Sequence, residues 1–324
     1  MVTIMHMVDA LLSPAVGGMM CVVSASANVY AAKKVKRDEL CEKKIPIIGV
    51  MGAFIFAAQM INFAIPGTGS SGHIGGGILL AAVIGGFPAL VSISVVLIIQ
   101  CLFFADGGVL ALGCNIFNLG VIPCLIVYPL LLKPFVTPSN RRITTRRITF
   151  ASIISVVLSL QLGSLCVVIE TQLSNISELP FATFLMFMQP IHLAIGIAEG
   201  LITAGILCFV HKMRPDIMRS AAECTAIQDD APTKRLLITL TILTLIVGCV
   251  LSLFASSRPD GLEWAIAKTG ETVEIEPARV SEGASNAGAA IAGIVGGSIT
   301  FAFACIAAYG ISIFKKKRKG ELRA

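Results

Sequence analysis

Long apolar runs dominate this chain and restrict it to very few folds. They fall at roughly 9–32, 45–64, 73–86, 87–105, 113–133, 148–170, 185–211, 235–255 and 287–314. A helix needs about 20 such residues to cross a hydrocarbon core about 30 Å thick. Most of the runs reach that length, so the sequence predicts an all-α, polytopic membrane protein with nine spans. Charged residues are only 14% of the chain, whereas soluble domains carry about 25%. The runs are continuous rather than alternating every second residue, which excludes an outer-membrane barrel. No basic segment precedes the first run, so no cleaved signal peptide is expected.

Orientation follows from the basic residues. Segments 33–44, 133–147, 211–235 and 315–323 hold all of them except Arg258, Lys268 and Arg279. Nine spans put those four segments on one side, which the positive-inside rule makes cytoplasmic. The N-terminus is then outside and the C-terminus inside. The run 73–86 is too short for a membrane-crossing helix. A half-turn there would move 133–147 to the outer face with five basic residues, so it is expected to cross with help from extended residues 66–72. Irregular backbone at that depth is tolerated where it lines a cavity or is buried by protein.

That irregular stretch, Asn62 to Gly77, contains six glycines, one proline, three hydroxyl residues and one of only four histidines. Two readings compete for it: an inward-pointing metal ligand at His73, or a flexible loop joining two helices. His6, His73 and His192 all fall toward the outer face, whereas His211 sits at the cytoplasmic end. If the chain started at Met5, its free amine, the His6 amide and the His6 imidazole could close two chelate rings around one metal. His73 would add a fourth nitrogen. Four nitrogens in a plane suit Ni(II) or Cu(II), and a looser set suits Co(II). Met1-Val2-Thr3-Ile4 stand in front of that amine.

His192 and Glu199 are seven apart and share a helix face, with Gly196 and Gly200 suited to close helix packing. An intramembrane glutamate is a functional candidate by default. His192 reads either as a hydrogen-bonding residue between helices or as a support for His73. Asp106, Asn115 and Asn118 flank the turn Asp106-Gly107-Gly108 and read most simply as helix caps. Gln59, Asn62 and Gln100 are amides that brace or gate a site. Trp264, the only tryptophan, reads as an interfacial anchor. The ten cysteines are scattered, without a C-x-x-C pair, and read as packing residues. No Walker A, H-E-x-x-H or G-x-S-x-G sequence occurs, which leaves no familiar ATPase or hydrolase centre. Two further classes remain open: an intramembrane metalloenzyme using His73, His192 and Glu199, and a proton-coupled permease using Glu199.

The combination Met5-His6-Met7 with Asp9-Ala10-Leu11-Leu12-Ser13-Pro14, Ser71-Gly72-His73, Asp106-Gly107-Gly108 with Ala111-Leu112-Gly113-Cys114-Asn115, and His192 to Gly196 with Glu199-Gly200 resembles the CbiM/NikM family. These are the substrate-capture subunits of energy-coupling-factor nickel and cobalt importers. Residues 259–263, Pro-Asp-Gly-Leu-Glu, resemble the small CbiN-like companion, or PDGLE domain, fused in frame. The resemblance implies a seven-helix metal-binding unit over 1–212, a cytoplasmic linker over 213–233 and a two-helix unit over 234–324, with its outer loop at 256–286. It implies Met5, His6 and His73 as metal ligands, with Asn62, Asp106, Asn115, His192 and Glu199 in supporting or gating positions. Pro259, Asp260, Gly261, Leu262 and Glu263 form the motif of the fused unit. Ni(II) or Co(II) is cargo, and no resident cofactor is expected. ATP hydrolysis is expected on separate ATPase subunits, joined through a transmembrane coupling subunit. Ala27 and Ala31 on the first span are a small-residue candidate for docking that subunit, with ordinary helix packing as the alternative.

Overall fold

The computed structural model of the chain describes residues 6–35, 44–137, 143–227, 233–270 and 286–321. The helices are α1 (Pro14–Lys34), α2 (Ile45–Gln59), α3 (Gly77–Ile84), α4 (Gly86–Phe104), α5 (Leu112–Val136), α6 (Thr145–Ser174) and α7 (Phe181–Met213). They continue with α8 (Pro215–Glu223), α9 (Lys234–Phe254), α10 (Gly261–Lys268) and α11 (Asn286–Glu321). The described strands, β1 (Phe63–Ala64) and β2 (Ser71–Gly72), form a small antiparallel hairpin. The all-α, multi-pass architecture stands.

Local sequence sets where several helices begin. Ser13 caps α1 by accepting the Val16 N–H at 3.3 Å, with Pro14 in the first turn, where its missing N–H costs nothing. Thr144 caps α6 in the same way through Arg147. Pro123 and Pro129 lie within α5, where residues 117–132 are wound as a π-helix. Each proline removes a backbone donor and pushes its ring at the preceding turn, so the ladder is loosened locally.

Among the described residues, seven helices are long and apolar enough to cross a membrane: α1, α4, α5, α6, α7, α9 and α11, the last over Ile291–Lys315. Two shorter segments run between the same two ends. The α2 segment joins Lys44, bonded to Ser220 Oγ at 3.2 Å, to Gln59, bonded to the Gly75 carbonyl at 2.9 Å. The 73–85 segment runs from His73, beside His6, to Gly85, which packs against Ala221. Seven of the nine runs read from the sequence thus form span-length helices, and the other two fold as these shorter segments. The third run departs from expectation in one respect: residues 66–72 do not extend toward α3 but fold back within the β1–β2 hairpin, and only residues 73–76 lead into a helix of eight residues with no exposed side chain. Enclosure by protein removes the need for a lipid-length helix.

Helices α6 and α7 pack most closely where Gly196 and Gly200 meet the backbone of Val157 and Ile153, as their small size allows. The helices of the C-terminal part, α9 and α11, pack on α2, and α11 also meets α4. Exposed apolar side chains such as Val22, Leu130, Phe150, Leu201 and Ile306 face outward, as lipid contact requires. Ala31 is fully buried and Ala27 packs on the core. The small-residue pair is therefore spent on internal packing, which corrects its reading as a docking surface.

Candidate functional site

At the end opposite Lys44 and Gly85, four separate stretches converge: 6–12, 62–76, 105–115 and 256–264. Residues 6–12 form an arm that turns inward. Asn115 grips the arm at both backbone groups of Met7, accepting its N–H at 3.1 Å and donating to its carbonyl at 3.0 Å. Asp9 accepts the Ala111 N–H at 2.9 Å. The chain can approach this closely because residues 107 and 108 are glycines. Gly107 has φ +80°, and a Cβ on Gly108 would run into the Asp9 carboxylate.

The arm delivers His6, which is only 3% exposed. Its Nδ1 lies 3.0 Å from Asp106 Oδ2, while Nε2 is buried without a hydrogen-bond partner among the described residues. The His73 ring stands edge-on, 5.1 Å away between centroids. A carboxylate behind one imidazole nitrogen, with the other left over, is the arrangement that orients metal-binding histidines. It differs from the chelate expected from the sequence, because only Nδ1 can close a ring with the His6 amide, and here Nδ1 is engaged by Asp106. Met5 lies outside the described residues, as does the preceding extension.

The His73 loop is held from two sides. Glu199 accepts the Gly75 N–H at 2.9 Å and the Gly76 N–H at 2.8 Å, while Gln59 donates to the Gly75 carbonyl. Gly76 takes φ +78° to turn the chain into α3. Glu199 thus braces the glycine turn next to His73. His192 lies on the same helix, and its Nδ1 is 2.8 Å from the Met188 carbonyl.

His6, His73, Asn115, His192, Glu199 and Asp260 all line one cavity of about 90 Å³, with apolar walls that include Ile78, Leu119, Val156 and Met188. That volume admits an ion with a few waters. Among the described residues, no three His, Cys, Asp or Glu side chains stand close enough to form a ready metal cage.

Some sequence readings change here. Asp106 and Asn115 are not helix caps; they hold His6 and Met7. Asn118 donates instead to Glu170 at 2.9 Å. Asn62 lies away from the cavity lining, and its carbonyl accepts the Ser256 N–H at 2.7 Å. Trp264 is more than a surface anchor: its indole N–H donates to the Thr68 carbonyl at 3.0 Å, and its ring meets Phe187 edge-on.

The sequence reading missed a seam between the glycine loop and the fused motif. Ser71 donates its N–H to the Pro259 carbonyl at 2.8 Å, and its hydroxyl bonds the Arg258 carbonyl at 2.8 Å. A parallel bridge pairs Ser71 with Asp260, and Leu262 reaches the cavity wall. Each of these hydrogen bonds ends on a main-chain carbonyl, an acceptor that leaves little trace in a side-chain pattern.

Comparison with known proteins follows the same division. The sequence profile described as "cobalt uptake substrate-specific transmembrane region" (CbiM) matches residues 6–217, and that of the PDGLE domain matches 234–290. The chain is 29% identical over 313 residues to the fused nickel transport protein NikMN of Rhodobacter capsulatus, covering 90% of this chain and 84% of that one. It is 33% identical to a protein of Haloquadratum walsbyi named for metal transport, covering 70% of this chain and 99% of that one. A crystal structure described as a truncated transition metal transporter superposes with a TM-score of 0.55 at 27% identity, covering 64% of this chain and 99% of that one.

Proposed function

The chain belongs to the CbiM family of cobalt-uptake substrate-specific transmembrane regions, and from that premise we propose that it captures Ni(II) or Co(II) for import. In this reading it is a transport subunit without a catalytic centre of its own. Separate ATPase subunits, acting through a transmembrane coupling subunit, drive uptake as in energy-coupling-factor importers. Residues 1–212 form the metal-binding unit, 213–233 a cytoplasmic linker and 234–324 the CbiN-like unit. The end bearing His6 and His73 faces outward, because the basic connections lie at the other end, beside Lys33, Lys44 and Lys315.

The observation that carries the reading is the pair of imidazoles 5.1 Å apart on a small buried cavity, with His6 Nε2 lacking a partner among the described residues and Asp106 fixing the other nitrogen. His6 and His73 are the ligands from the described residues, and Met5 would add a backbone nitrogen. Imidazole donors suit Ni(II) and Co(II), and ligand type alone does not separate the two. Both oxygens of Glu199 are engaged by Gly75 and Gly76, which supports a bracing role over that of a proton carrier or catalytic acid.

His73→Ala is the direct test. Equilibrium dialysis of the full-length protein against Ni(II) and Co(II) is expected to show loss of high-affinity binding, at least a hundredfold weaker, with membrane insertion intact. Affinity equal to that of the unaltered protein would remove His73 from the site. Uptake that persists without the ATPase partners but collapses with the proton gradient would favour a permease instead.

A further inference from the structure

The cavity wall is shared between two parts of the chain. Asp260 and Leu262, from the C-terminal part, line it together with His192 and His73. Asp260 is 4% exposed, and its Oδ1 has no hydrogen-bond partner among the described residues. Asp260 also begins α10, in a capping box with Glu263. An asparagine or serine would cap equally well, so capping does not account for a second carboxylate oxygen buried in a residue that lines the cavity. No lysine or arginine is among the described residues that line the cavity. A buried carboxylate oxygen left unpaired is costly, and such an atom calls for a partner such as an ion.

His192 offers the complementary group. Its Nδ1 faces the Met188 carbonyl at 2.8 Å, which places the proton on that nitrogen and leaves the Nε2 lone pair available. Gly261 packs directly on this ring: a Cβ there would lie 3.3 Å from His192 Cε1. The backbone seam from Ser71 to Pro259 holds the two groups in register.

We propose that Asp260 and His192 form a two-point cation site on the C-terminal wall of the cavity, separate from the His6–His73 pair and assembled from both parts of the chain. One carboxylate oxygen and one imidazole nitrogen, with water completing the shell, suit a divalent transition metal better than Mg(II) or Ca(II), which prefer oxygen alone. This inference rests on the reading that the cavity receives such a cation. It gives the fused motif a chemical role, in that the motif carries a ligand to the metal's resting place as well as covering the loop.

The test uses Co(II) alone with the full-length protein in nanodiscs, read by equilibrium dialysis and by the visible absorption of bound Co(II). Asp260→Asn, which keeps the cap, is expected to weaken Co(II) binding roughly tenfold and to alter the Co(II) spectrum. His192→Ala should do the same, and the double variant should be little worse than either single one. Trp264 emission reports whether the seam stays closed. If Asp260→Asn opens it, His192→Ala carries the test instead. Unchanged affinity and spectrum in a variant with a closed seam would overturn the proposal. If His73→Ala loses binding while these variants do not, only the wall site fails. If all three bind normally, the capture reading fails as well.

Discussion

Two segments from distant parts of the chain meet the His73 loop, and they are held in different ways. The N-terminal arm is fixed by side chains: Asn115 clamps both backbone groups of Met7, and Asp106 fixes His6. Segment 256–264 is fixed at main-chain carbonyls: Ser256 N–H to Asn62, the Ser71 N–H to Pro259 and its hydroxyl to Arg258, and the Trp264 indole to Thr68. A side-chain clamp aims one particular atom, here His6 Nε2. A backbone seam reads the shape of the loop and tolerates changes in its side chains. The arm is therefore the part whose chemistry is exacting, and the seam is the part whose geometry is.

Breaking the arm should have the largest effect. Asn115→Ala leaves the Met7 N–H buried without its acceptor, at about 1–3 kcal/mol, and leaves the Met7 carbonyl with the Gly108 N–H at 3.3 Å. Metal affinity is expected to fall by tenfold to a hundredfold or more, measured by dialysis, while the helices remain inserted. Retained affinity would show that the arm is placed by something other than Asn115. Asp106→Asn is milder, because the amide oxygen can still accept from His6 Nδ1 but loses the charge. Titration is expected to show affinity roughly tenfold weaker, the low end of the usual cost of removing such a support. At the seam, Ser71→Ala should cost least. It removes the hydroxyl bond to Arg258 but keeps the backbone bond to Pro259, so about 0.5–1.5 kcal/mol is lost from the seam. A Trp264 emission shift under mild denaturant would measure that loss. An effect on metal affinity as large as that of Asn115→Ala would erase the distinction between arm and seam.

The architecture was legible because apolar runs and basic segments are local signals, and each constrains the chain without knowledge of its partners. Gly196 and Gly200 were readable for the same reason, as small residues on one helix face. The α3 segment was readable only in part: its length argued against a span, and the parity of the basic segments argued for one. Enclosure by neighbouring helices resolves that conflict and is not visible in sequence. Asp106 and Asn115 were misread because a polar residue beside a Gly-Gly turn resembles a cap, whereas their partners lie about a hundred positions away. Ala27 and Ala31 offered a pattern that docking and internal packing share. The resemblance to CbiM/NikM placed His6 beside His73, which spacing alone could not do. It did not give the nitrogen of His6 that faces the cavity, because that depends on where Asp106 sits.

The seam has a further consequence because both of its sides belong to one polypeptide. Its opening and closing is a unimolecular equilibrium, set by a linker-defined effective concentration that for short tethers reaches the millimolar range. The fraction of molecules with a covered loop is then independent of how much protein the membrane holds. Every copy also carries one cover for one site. A separately encoded cover would be subject to dilution in the bilayer and to unequal synthesis, and this chain is insulated from both.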